Sequence, residues 1–308
     1  MIKFIYTQDI HLKRKNPTNR IDNYCDSVMA KLEEVCQIYQ KEKCDCWIDG
    51  GDLFEIPIVS YGLIDKFLDL LEKYNIKMKL LYGNHCEIGA SVENSSTASL
   101  AHMFRRSKNI EILTGIETED ETINGHDYYF GIENDINENG LMCNTSTKIK
   151  IGIVHALITE KPFFKHIPHC VVGKFKTNYD YLLIAHNHKA WKTKEIDGTK
   201  YINVGCLGRR KIDESVIEPS YLIYETGKPI RIEKIKVAKN GSELFDIEKH
   251  EEKKEFNQSI DNFVDMINDV KFQQMDTMNA IQMVANENNI EKAVVDCIMD
   301  KIGELENG

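Results

Sequence analysis

Short apolar runs closed by polar residues set the rhythm of the first hundred residues. IKFIYT (2–7), CWID (46–49) and KMKLLY (77–82) have the length and β-branched or aromatic content of buried strands. Between them, Tyr24 to Tyr39 repeats at helical spacing, with Val28, Leu32, Val35 and Tyr39 on one side, and Leu63 to Tyr74 repeats in the same way. This β-α-β-α-β order predicts parallel strands with helices packed on them, because parallel neighbours need a crossover and helices supply it. Functional groups then belong in the loops beyond the carboxyl ends of the strands.

After about residue 110 the pattern turns strand-rich. IKIGIVH (149–155), YLLIAH (181–186), YINVG (201–205), YLIYE (221–225) and IRIEKIKV (230–237) read as strands. Asn124-Gly125 and Asp197-Gly198 each stand between β-rich arms, where such dipeptides favour tight hairpin turns. Two halves of this kind predict an α/β fold, a two-sheet β-sandwich flanked by helices. A charged stretch at 248–255 then leads into a C-terminal helical extension. There Phe256, Ile260, Phe263, Ile267 and Val270 keep helical spacing, as do Ile290, Val294, Ile298 and Ile302, and Asn288 and Glu291 have the spacing of a capping box. The division expected is a domain over 1–240 and an acidic linker with a helical tail over 241–308. The tail's apolar stripes need a surface, which the body, a second copy of the chain or another protein could provide.

Charge refines this division. The net charge of −10 is concentrated in residues 239–308, which hold 7 Lys against 16 Asp and Glu. The remainder carries 32 basic and 33 acidic side chains, with local basic clusters at Lys13 to Lys15, Arg105 to Lys108 and Arg209 to Lys211. No apolar run approaches the ~18 to 20 residues needed to span a bilayer, and the polar start MIKFIYTQDI is unlike a secretory leader, so no membrane association is expected. Nine cysteines without a repeating spacing argue against a disulfide framework and for a reducing, cytoplasmic setting.

The chemistry-bearing residues gather where strands end. Asp9 and His11 follow the first strand, and Asp52 lies in GGDLFE after the second. Asn84 and His85 lie in YGNHCE after the third, His155 ends GIVH, and His186 and His188 form AHNH. Any one of these fragments is more often a satisfied polar group than a ligand. Together they make little sense as packing, because burying so many ionisable groups costs on the order of several kcal/mol each unless they pair or bind metal. A cluster of oxygen and imidazole donors suits Mn²⁺, Fe²⁺ or Zn²⁺ better than Ca²⁺.

In this order the residues resemble the calcineurin-like metallophosphoesterases, whose pattern runs D-x-H, G-D, G-N-H-D/E, a later His, and G-H-x-H. The resemblance covers about residues 1 to 210 and implies two divalent metals, manganese first, with iron, zinc and magnesium as alternatives. It implies that Asp9, His11, Asp52 and His188 hold one metal and that Asp52, Asn84, His155 and His186 hold the other, with Asp52 shared. It also implies that His85 meets the phosphate or leaving oxygen. Such a pair of cations, ~3.5–4 Å apart, clamps a phosphoryl group and activates water. Three departures stand out. Cys86 and then Glu87 follow the GNH triplet, leaving Glu87 to orient His85, while Ala185 replaces a glycine. Glu55, a further candidate for a supporting role, stands where some relatives carry a functional His.

Within the superfamily the chain is most similar to the nuclease subunit of double-strand-break-repair complexes of the SbcCD type. GGDLFE contains that branch's GDLF core, and NVGCLGRR (203–210) resembles its NPGSxxR element, which makes Arg209 and Arg210 candidate phosphate or DNA contacts. Val204 and Cys206 depart from that element. The branch implies a DNA exo- or endonuclease in repair or recombination, a coiled-coil ATPase partner for the C-terminal helices, and a homodimer as another assembly. Alternatives on the same scaffold are a phosphomonoesterase, a small-molecule phosphodiesterase, and a non-catalytic scaffold.

Overall fold

A computed structural model describes residues 1–86, 98–128, 131–269 and 277–306, with the side chains of 263–269, 277–280, 287 and 301–306 left aside. The chain divides into two compact units, Met1–Phe245 and Asp246–Gly308. Residues 241–245 belong to the first: helix α5 (Gly241–Leu244) ends in Phe245, which forms a bridge with Arg20, and Leu244 and Phe245 are buried.

The first unit is built on two mixed six-stranded sheets. In the first sheet, β1 (Lys3–Thr7), β2 (Cys46–Asp49), β3 (Met78–Leu80) and β4 (Ile110–Ile112) run parallel. Strands β13 (Ser220–Glu225) and β14 (Arg231–Lys234) add antiparallel to the free side of β1. The second sheet has the order β11-β12-β10-β7-β6-β5. Its four central strands, β6 (Glu121–His126), β7 (Ile149–His155), β10 (Tyr181–Ala185) and β12 (Thr199–Ile202), are parallel. Both edges, β5 (Gly115–Glu117) and β11 (Lys194–Ile196), are antiparallel. A short parallel pair, β8 (Ile158–Thr159) and β9 (Cys170–Val171), lies outside both sheets.

The period-2 alternation of strands explains why the runs are apolar on both faces. Phe4, Tyr6 and Ile48 face the interior of the sandwich, where they pack with Ile151, Ile153, Leu183 and Ile202. Their neighbours Ile5 and Trp47 face outward against α1 (Tyr24–Glu42) and α2 (Tyr61–Lys73), through Val28, Leu32, Val35, Ile64 and Phe67. Helix α3 (Ser99–Arg106) adds Leu100 and Met103 to that cluster. On the opposite flank, Val154, Leu182 and Ile184 pack with Ile132 and Ile136 of α4 (Ile132–Asn139). Trp47 is fully buried and its indole N–H donates to Thr7 Oγ1 at 2.8 Å, so truncating it to Ala should cost about 3–5 kcal/mol. Helix α1 is capped at Asn23, whose side chain accepts from Asp26 N, and it ends at Lys43 in the left-handed conformation.

Asp197-Gly198 forms the expected hairpin, with φ of 50° and 85° joining β11 to β12. Asn124-Gly125 does not. Both residues lie inside β6, opposite Gly152 and Ile153 of β7, and the reversal between β5 and β6 falls near Thr118. Gly125 is small because a Cβ there would press on Leu113 and Leu81, and Asn124 Nδ2 donates to Tyr179 Oη at 2.9 Å. Close packing, rather than a turn, accounts for the dipeptide.

The second unit comprises α6 (Ile247–Asp269), α7 (Thr277–Glu287) and α8 (Lys292–Glu306). Phe256, Ile260, Ile290, Val294 and Ile298 of the expected stripes pack with Ile281 and Val284 in an apolar cluster of the unit's own, so these residues cover one another. Phe263, Ile267, Val270 and Ile302 lie outside the described side chains. The capping box does not form: Asn288 Nδ2 donates back to Val284 O, and α8 starts after Glu291. Among the described residues no helix is long and apolar enough to cross a membrane.

Candidate metal centre

The ends of β1, β2, β7 and β10 and the turn after β3 converge on one cleft. Asp9, His11, Asp52 and His186 all have positive φ, of 49°, 50°, 57° and 78°. Side chains rarely adopt this region, and four such residues in one place mark stored strain of the kind that clusters at functional sites. The strain is held from beneath. Ile10 and Leu12 anchor the segment after β1 in the core, while Asp9 N, His11 N and Leu12 N donate to Gly51 O, Asp52 O and Leu53 O. Asp9 in turn accepts from His186 N through both carboxylate oxygens, at 3.2 and 3.1 Å.

Asp52 stands at the middle. Its Oδ1 accepts the His85 main-chain N–H at 3.0 Å. Its Oδ2 lies 3.4 Å from His155 Nε2, 3.7 Å from His11 Nε2 and 4.0 Å from His85 Nε2. Burial favours the protonated acid, but the surrounding imidazoles of His155, His11 and His85 outweigh it and hold the carboxyl well below its usual range. Two glycines make room for this arrangement. A Cβ at Gly83 would fall on the Asp52 carboxylate, and one at Gly51 (φ 109°) would fall on the His155 ring.

Among the described residues the donors form four overlapping groups: Asp9 with His11 and His188, His11 with Asp52 and His85, Asp52 with His155 and His186, and His188 with Cys206 and Glu214. Asn84, one residue before His85, turns a buried Oδ1 with no partner into the structure. All seven residues expected to ligate therefore lie around one cleft or on the turn that borders it.

The imidazoles are oriented from behind. His155 Nδ1 donates to Gly50 O at 2.8 Å, His188 Nδ1 to Glu214 Oε1 at 2.6 Å, and His85 Nδ1 to Glu55 O at 2.6 Å. His11 Nδ1 lies 3.1 Å from Glu55 Oε2. Each Nε2 is thereby left facing inward. His155 Nε2 is buried without a hydrogen-bond partner, and His11 Nε2 and His188 Nε2 face each other at 3.0 Å. Two converging lone pairs repel unless a proton or cation lies between them. An orphaned Asn oxygen, inward imidazole nitrogens and the carboxylates of Asp9 and Asp52 fit a pair of divalent cations, and ligand histidines are commonly fixed through their other nitrogen in this way.

Electrostatics separates the histidines. Burial lowers His155, but Asp52 and then Asp9 raise it to about 9. Burial and the neighbouring His155 charge push His186 down to about 4. Burial lowers His188 too, but the Glu214 hydrogen bond prevails and raises it. Burial would raise Glu214 and Glu55, yet His188 brings the first to about 2, and His11 with Arg210 brings the second to about 2.

Of the supporting residues expected, Glu55 and Arg210 lie at the cleft. Glu55 touches two histidines, His11 through its carboxylate and His85 through its carbonyl, and also pairs with Arg210. Glu87 lies outside the described residues. Arg210 lines the cleft, whose volume is about 410 Å³, with Asp52, His85, His188 and Lys211. Arg209 cannot serve as the phosphate or DNA contact expected of it. It is 3 % exposed and its guanidinium donates to Ser215 O, Ile217 O and Lys239 O, so it ties together main chain away from the cleft.

Sequence reasoning missed Glu214, Asp49, Gln8 and Asn203. Glu214 sits in a charged turn whose sequence carries no signal. Asp49 ends the apolar run CWID and accepts from Gly51 N and Thr7 Oγ1, and an acid in such a run is itself a signal. Gln8 Nε2 bridges Asp9 Oδ2 and Asn203 Oδ1, at 3.0 and 3.1 Å.

Comparison of the sequence with protein-family models and with curated proteins gives no match. Among solved structures, the chain is similar to a dimetal phosphatase from Danio rerio (9% identity, TM-score 0.47, covering 76% of this chain and 95% of that one). It is also similar to the calcineurin-like phosphoesterase YfkN from Bacillus subtilis (13% identity, TM-score 0.44, 76% and 90%). A third similarity is to a structure described as a putative 5'-nucleotidase from Staphylococcus aureus (15% identity, TM-score 0.41, 76% and 53%).

Proposed function

We propose that this chain is a two-metal phosphoesterase of the calcineurin-like superfamily, and that it hydrolyses phosphodiesters of nucleic acid as a nuclease of the break-repair type. The observation that carries the first part is Asp52: one carboxylate oxygen lies within 4.0 Å of the Nε2 atoms of His11, His85 and His155, and the residue belongs to two donor groups, one with His11 and His85 and one with His155 and His186. Asp9, His11, Asp52 and His188 would hold one divalent cation, and Asp52, Asn84, His155 and His186 the other. Bound there, the two cations would draw charge from a phosphoryl group and acidify water.

The protein's own groups do the rest. The Nδ1 contacts of His155 and His188 fix the tautomers that present Nε2 to the centre. His85, held through Nδ1 by Glu55 O, presents Nε2 to the cleft. From that atom it can protonate the oxygen that leaves phosphorus as the water oxygen bonds to it. Arg210 and Lys211 place positive charge on the same cleft, where the non-bridging phosphate oxygens would lie. The basic wall, with GGDLFE and NVGCLGRR, supports a nucleic-acid substrate over a small ester.

The test is to offer purified protein with Mn²⁺, Fe²⁺, Zn²⁺ or Mg²⁺ linear duplex DNA, single-stranded DNA, a small phosphodiester and a phosphomonoester. Cleavage of nucleic acid and of the small diester is expected. Hydrolysis of the monoester alone would make the chain a phosphatase, and metal binding without hydrolysis of any substrate would make it a scaffold.

A further inference from the structure

We propose that the connection between β8 and β9 is a base-stacking platform that receives an unpaired nucleotide beside the phosphodiester to be cleaved. The proposal rests on the phosphodiesterase reading above and adds a substrate class to it, a strand with unstacked bases. The connection runs over residues 160–169, EKPFFKHIPH, and presents two adjacent aromatic rings to solvent. Phe163 is 44% exposed and Phe164 70%, and the rings meet edge to face with centroids 5.0 Å apart.

Phe163 also lines the cleft that contains Asp52, His85, His186 and His188. An exposed aromatic pair is an unfavourable use of surface unless something covers it, and here it adjoins the candidate reaction centre.

The loop is held in shape. Its ends are joined by the β8–β9 pairing, in which Ile158 opposes Cys170 and Thr159 opposes Val171. Thr159 Oγ1 donates to Lys161 O at 2.7 Å, and Ile167 N donates to Phe164 O at 3.0 Å. One imidazole completes the fixation. His169 Nε2 accepts the Phe163 main-chain N–H at 2.9 Å, and its Nδ1 donates to Ile167 O at 2.8 Å. A ring carried on a braced loop loses little freedom on binding, which is the condition for a stacking surface to contribute affinity.

Charge identifies the occupant. Lys161 and Lys165 flank the two rings in sequence, and Lys189 and Lys211 line the same cleft. Aromatic faces interleaved with cations are how proteins hold single strands, the rings taking bases and the ammonium groups taking phosphates. A base inside a duplex has both faces covered by its neighbours, so the platform suits a single strand or a frayed end.

The test uses the full chain in EDTA, so that binding is read without cleavage. A short single strand carrying 2-aminopurine is titrated and its fluorescence followed, since stacking quenches it. Phe163→Ala and Phe164→Ala should weaken binding roughly 5- to 150-fold, and Phe163→Trp should restore it. An otherwise identical strand with an abasic sugar in place of 2-aminopurine, followed by competition, should bind parent and variants alike. Equal affinity of parent and both Ala variants for the base-bearing strand, or an equal loss with the abasic strand, would overturn the proposal. So would a fall in self-association in Phe164→Ala without loss of nucleotide binding, which would make the pair a protein contact. Hydrolysis of a small phosphodiester by the metal-loaded parent reports on the two-metal reading alone. Its failure would overturn that reading and leave the binding titrations to decide the stacking.

Discussion

Glu214→Gln asks whether the centre depends on a residue that no motif announces. The Glu214 side chain is 5% exposed and serves three donors at once: His188 Nδ1–H at 2.6 Å, Lys211 N at 3.0 Å, and Arg210 N. A carboxylate accepts in every direction, whereas an amide must turn its NH₂ toward either the histidine or the two main-chain donors. The variant therefore loses a charge-assisted hydrogen bond to a proposed ligand, worth about 1.5–3 kcal/mol. That agrees with the 10- to 100-fold loss of metal affinity, about 1.4–2.7 kcal/mol, that such orienting groups typically command. The effect should fall on the cation proposed for Asp9, His11 and His188 and spare the one proposed for His155 and His186. Titration of Mn²⁺ into metal-free protein, with a chelator in competition, resolves the two equivalents. A thermal melt in EDTA checks that the variant is folded. Equal weakening of both equivalents, or of neither, would refute the argument.

Asp52→Asn should weaken both metal equivalents and Asp9→Asn chiefly one; full occupancy at both sites in purified Asp52→Asn would remove Asp52 from its shared role. His85→Ala should keep both metals while turnover falls about 10²- to 10⁴-fold, and either unchanged turnover or loss of a metal would reassign the residue. Lys31 is 1% exposed, donates to Leu207 O, and is lowered by burial to about 7. Below that pH both folded and unfolded chains carry its proton and the burial penalty is complete, so stability should rise between about pH 7 and the unfolded value of 10.5. The slope, up to about 1.4 kcal/mol per pH unit, should be missing from Lys31→Met in urea titrations, and parallel curves would sink the assignment. Cys86 and Cys206 are 2% and 0% exposed with thiols raised by burial, so neither should be alkylated in the native protein, as mass spectrometry before and after unfolding would show.

Much of the fold is legible along the chain because it depends on local periodicity. The apolar runs at 2–7, 46–49, 149–155 and 181–185 became strands since each must bury two faces, and Asp197-Gly198 became a hairpin since two positive φ values suit those residues. The ligand candidates were legible for a related reason: polar residues ending apolar strands have to be satisfied together. What sequence could not settle depends on partners distant along the chain. Asn124-Gly125 has the composition of a turn, yet its neighbours across β7 and at Leu113 keep it inside a strand. Arg209 and Arg210 are indistinguishable in GRRK, but one faces the cleft and the other is drawn into main-chain carbonyls behind it. Glu214 reaches His188 across 26 residues, and His85 is oriented by a carbonyl 30 residues away. Periodicity reports which face of an element is buried, because burial repeats along it. Which side chain completes a hydrogen bond across the cleft depends on how separate loops are brought together, and only tertiary packing decides that.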